Sequence, residues 1–100
     1  MTLHEFKNTI KNKTFKSTDG GFVYQFVPEN TLRVKDDMSR SVQYEITEQD
    51  GKFILNHNSF FGTEPILIDV ISNNSNRLEL TLTTTPSNKF IGTWIEERDL

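Results

Sequence analysis

The chain contains neither cysteine nor alanine. Without cysteine there is no disulfide framework and no thiolate chemistry. Alanine is the strongest helix former, and its absence beside plentiful Thr, Ile, Val and Phe tilts the composition towards strands. Long apolar runs are missing too. The opening "MTLHEFKNTIKNK" lacks the hydrophobic core of a signal peptide, and no later stretch is long enough to span a bilayer as a helix. The expectation is therefore a cytoplasmic protein with no membrane partner, the alternative being a trimmed secreted parent. Charge of neither sign is concentrated: 11 Lys and Arg against 14 Asp and Glu give a net −3. Nucleic-acid binding needs a basic stripe, and the sequence has none. Internal repeats and low-complexity linkers are also lacking.

What is present fits one small β-domain over residues 1–100. The hydrophobic share is only 34%, but eight phenylalanines and one tryptophan give each buried position a large area. Thr2 stands three residues before Glu5, the capping-box spacing, and Leu3, Phe6 and Ile10 follow on one helical face. This predicts a helix over about 2–11, too short to persist alone. Its stripe must pack on the β-structure, either across a barrel end or on the outside of a strand.

From residue 13 the period changes to two. Strands are expected at 13–17, 21–27, 31–35, 41–48, 52–57, 65–72, 77–83 and 89–97. In "GFVYQFV" Phe22, Tyr24 and Phe26 share a face. In "SVQYEITE" Val42, Tyr44 and Ile46 oppose Ser41, Gln43, Glu45 and Thr47. Phe53, Leu55 and His57 share a face, as do Leu78, Leu80 and Leu82. Asp19-Gly20-Gly21, Pro28-Glu29-Asn30 and Asp50-Gly51 are turn chemistry, the last typical of a tight hairpin. In "KFIGTWIEE" Phe90 and Trp94 share one face across Gly92, and Ile91 and Ile95 the other.

Eight short strands joined by short loops imply a mainly β, antiparallel up-and-down meander. No connection is long enough for a βαβ crossover. An open sheet of this width would leave one apolar face uncovered, so closure into a barrel roughly 20 Å tall is expected. An interior of eight strands is just wide enough to be filled by side chains or to hold one small ligand.

The order and spacing of these elements resemble a compact bacterial lipocalin-like (calycin-type) domain. The features that carry the resemblance are the short N-terminal helix, the hairpin "F-x-P-x-N-x-L-x-V" from Phe26 to Val34 and the hairpin "Y-E-I…D-G-K-F" from Tyr44 to Phe53. Gly92, Thr93 and Trp94 match the family's Gly-x-Trp signature, in the last strand rather than the first. First and last strands are neighbours in a closed meander, so a tryptophan here reaches the barrel end that the family's first-strand Trp closes. Phe15 then takes the slot of the family's aromatic. The family's members are longer, and the resemblance implies a trimmed barrel with a non-enzymatic small-molecule carrier function.

No catalytic constellation is visible. His4 and His57 join no nucleophile, a metal site would need more ligands than "NHNS" offers, and no cofactor motif occurs. His57 reads as a rim histidine. Glu96 and Glu97 face opposite ways, cannot act as a pair, and read as solvated. The candidate ligand-binding residues are Tyr24, Tyr44, Phe53, His57, Phe60 and Phe61. The two tyrosines point inward and need hydrogen-bond partners, and the two loop phenylalanines tuck under the mouth or form a patch. The alternative function is a protein-interaction module or homodimer with a filled core.

Overall fold

A computed structural model describes residues 1–35, 37–57, 62–73 and 77–97. Helix α1 (Leu3–Ile10) is followed by β1 (Thr14–Ser17), β2 (Val23–Val27), β3 (Thr31–Val34), β4 (Asp37–Gln49), β5 (Lys52–His57), β6 (Ile66–Asn73), β7 (Leu78–Thr84) and β8 (Phe90–Glu96). Each strand pairs antiparallel with the next, and β8 returns to β1, closing the barrel in sequence order. The closing ladder matches Phe15 with Glu96, Lys16 with Ile95 and Ser17 with Trp94.

Local chemistry sets the turns. Asp50 and Gly51 have φ of 52° and 79°, the left-handed pair of a two-residue hairpin that places Gln49 opposite Lys52. Both halves of the capping box form: the Thr2 N–H donates to Glu5 Oε1 at 3.0 Å, and the Glu5 N–H donates to Thr2 Oγ1 at 3.1 Å. Those bonds, first of all the one from the Thr2 backbone, hold the Glu5 carboxyl below its usual range.

Alternation along the strands directs Phe15, Tyr24, Phe26, Leu32, Val34, Ile46, Phe53, Leu55, Ile66, Ile68, Leu78, Leu80, Leu82 and Trp94 into one buried core. Each such side chain contributes about 1.5–3 kcal/mol on burial. Phe6 and Ile10 of α1 join that core, so the helix closes a barrel end. It packs against β4 and does not cover Ile91 and Ile95, which are only half-buried. Since α1 leads into the start of β1, it shares this end with the β2–β3 and β4–β5 turns.

Three expectations from alternation fail. Phe22 is 50% exposed, because β2 starts one residue later and the ring lies over Gly20 in the turn. Phe90 is 57% exposed. A register shift matches Leu82 with Gly92 but Thr83 with Phe90, leaving Ile91 unmatched and turning Phe90 outward beside Thr83. Glu96 is not solvated: its side chain is only 12% exposed. Its Oε1 accepts the Leu78 N–H at 3.1 Å, and its Oε2 pairs with Lys13 Nζ at 3.2 Å. The carboxylate thereby ties β7, β8 and the residue before β1 together at the closing seam.

Candidate functional site

The strands bring part of the expected site into the barrel interior. Tyr24 stacks on Trp94, with ring centroids 4.4 Å apart and planes 11° from parallel. Phe15 meets Phe26 edge-on at 5.7 Å and Trp94 at 6.2 Å. Tyr44 meets Phe26 edge-on at 5.2 Å. These five rings, with the leucine row of β7 behind them, fill the lumen by side-chain packing. Tyr24 and Trp94 are 7% and 1% exposed. Among the described residues, no buried side-chain nitrogen or oxygen lacks a hydrogen-bond partner.

Burial raises the phenol pKa of both tyrosines, because the charged form loses hydration. For Tyr24 the Arg40 charge offsets part of that rise.

The other expected residues fall elsewhere. Phe53 lies beneath α1, its ring stacked on Phe6 at 4.3 Å and 5° from parallel. His57 stands opposite Tyr44 across the β4–β5 ladder. Its Nε2–H donates to the Glu64 carbonyl at 2.9 Å, which makes it a brace for the β5–β6 connection. Phe60 and Phe61 lie outside the described residues. The candidate site therefore divides: Tyr24 belongs to the packed interior, whereas Tyr44 and Phe53 border the helix.

Open space is found beside that helix. A groove of about 540 Å³ runs between α1 and β4, walled by Lys7, Ile10, Lys11, Val27, Tyr44 and Ile46. The Tyr44 N–H donates to the Asn30 carbonyl at 2.9 Å, holding the β2–β3 turn as the groove's far rim. A second concavity of about 510 Å³ lies by the start of the chain, with Met1, Phe53, Ile68 and Val70 in its wall. Both reach core side chains, since Ile10, Ile46, Phe53 and Ile68 are all buried. Each exceeds the ~300 Å³ lower bound of small-molecule sites. A third, of about 440 Å³, lies on the outer surface of β1 and β8.

Sequence reasoning singled out Tyr44 and Phe53 but missed Ile10, Val27 and Ile46 as groove walls. The helical stripe was the available signal, because it required something to pack against. Among the described residues, no three His, Asp or Glu side chains gather into a metal-binding group, and no helix is long and apolar enough to cross a membrane. Compared with known proteins, the chain matches no family model, no curated protein and no solved structure.

Proposed function

We propose that the protein is a non-enzymatic, lipocalin-like binding module whose ligand is a small apolar molecule with a polar head, held at the helix-capped end of the barrel. The observation that carries this reading is the pair of concavities beside α1 whose walls include core side chains. The lumen itself is occupied by the Trp94 and Tyr24 stack and its neighbours. Apolar ligand surface placed against Ile10, Tyr44 and Ile46 leaves water, while a polar head stays near Lys7, Lys11 and solvent.

The test is an NMR titration of the labelled protein with short-chain amphiphiles. Shift changes centred on Ile10, Val27, Tyr44 and Ile46 are expected. Changes confined to the opposite end, or none with any amphiphile, would refute the reading.

The second reading, an interaction module or homodimer, is favoured by the filled interior together with the exposed Phe22 and Phe90. Native mass spectrometry separates the two, because it reports retained ligand and subunit count in one measurement.

A further inference from the structure

Helix α1 differs from the rest of the molecule in how it is held. Every strand is fixed by a hydrogen-bonded ladder on both sides. Among the described residues, no hydrogen bond or ion pair joins α1 to the barrel. Its polar side chains bond within the helix and its cap: Thr2 with Glu5, Asn8 with His4, and the Thr9 hydroxyl to the Glu5 carbonyl. Its attachment is apolar, through Phe6 at 0% exposure, Ile10 at 1% and the half-buried Leu3.

The connection to the barrel is short and clearly bounded. Lys11 leaves the helical conformation with ψ of 127°, and Asn12 sits at φ 65°. Lys13 is then anchored, its carbonyl accepting the Phe26 N–H at 3.0 Å and its ammonium pairing with Glu96. Rotation about residues 11 and 12 therefore moves α1 without disturbing any ladder bond.

The two concavities lie on either flank of this helix. One has Ile10 and Ile46 in its wall, and the other has Phe53 and Ile68. Phe6 stands between them on the Phe53 ring.

We infer that α1 is a built-in occupant of a larger binding site, and that an elongated apolar ligand binds by displacing Phe6 and Ile10 and joining the two concavities over a floor of Ile46, Phe53 and Ile68. This rests on the reading that the helix-capped end binds an apolar molecule. The chemistry supports exchange: what holds α1 is non-directional apolar contact, which an alkyl chain reproduces, and there is no polar latch to break. An eight-residue helix does not persist without packing. Ligand binding and helix docking are thus competing equilibria, each weakening the other by the same factor.

The experiment uses the full chain and dodecanoate as the probe. Amide hydrogen exchange is followed with and without saturating dodecanoate. Exchange across residues 3–10 should accelerate about tenfold or more on binding, while β7 and β8 stay protected. Phe6→Ala should bind dodecanoate at least about tenfold more tightly than wild type, and the exposed control His4→Ala should bind it like wild type. Binding to the wild type with unchanged or increased protection of residues 3–10 overturns the displacement and leaves the groove reading intact. No binding to either wild type or Phe6→Ala sinks the ligand reading itself. The wild-type exchange measurement decides the matter even where Phe6→Ala folds poorly.

Discussion

Trp94 and Phe90 lie on one strand, four residues apart, and simple alternation gives them the same environment. The structure gives them opposite ones: Trp94 is 1% exposed and Phe90 is 57% exposed. Trp94→Ala removes a fully buried indole together with its stack on Tyr24 and its contacts with Phe15 and Phe26. Truncations of this kind cost about 3–5 kcal/mol, because lost transfer energy and the residual cavity add. Against a total stability on the order of 5–15 kcal/mol, that is a large fraction. At about 4–8 °C per kcal/mol for a domain of this size, the melting temperature should fall by roughly 12–40 °C. Phe90→Ala should stay within about 0.5 kcal/mol of wild type, as other exposed substitutions do. Urea unfolding followed by far-ultraviolet circular dichroism is the assay, since one variant lacks the chain's tryptophan. Wild-type emission should be that of a buried indole. Equal losses for the two variants would refute the register shift that turns Phe90 outward.

Leu78→Asp should unfold the domain, because an unpaired buried carboxylate costs several kcal/mol, whereas Glu79→Lys on the outer face should leave the melting temperature nearly unchanged. Tyr44→Asp should destabilise more than Gln43→Lys, by less than the Leu78 contrast because Tyr44 is only half-buried. Glu96→Ala should cost about 1–3 kcal/mol in a urea melt, since it strips the Leu78 N–H of its acceptor and leaves Lys13 without its carboxylate. A loss too small to measure would show that the closing seam does not depend on Glu96. Both tyrosines have a raised pKa in the folded protein. The unfolded chain therefore releases these protons first as pH rises. The stability they contribute is whole below the unfolded value near 10 and is lost as pH climbs through the raised folded values. Absorbance at the phenolate band should lag in native protein relative to protein in urea. Coincident titration curves would contradict the burial of both rings.

Much of the fold is written locally. The capping box at Thr2 and Glu5 depends on two side chains one turn apart and can be read directly. The same holds for the Asp50-Gly51 hairpin and for the inward rows of β3 and β7, where a two-residue period needs no knowledge of the neighbouring strand. Tyr44 and Phe53 were legible as inward aromatics for the same reason, but not the helix that borders them. What alternation cannot reveal is where it breaks. The unmatched Ile91, the outward Phe90 and the extension of β4 back to Asp37 follow from how one strand's hydrogen bonds meet another's, and that register is a property of the pair. Glu96 illustrates the same limit: two adjacent glutamates look alike in sequence, and only the closure of β8 on β1 gives one of them Lys13 and the Leu78 N–H. The place of α1 was equally open, because an apolar stripe states that a partner is required and not which surface it is. The sequence by itself determined eight strands, a helix and their inner faces, through local periodicity. The tertiary structure alone decided that Trp94 and Tyr24 fill the lumen and that open space lies beside the helix, because packing depends on how side chains from distant strands divide one shared volume.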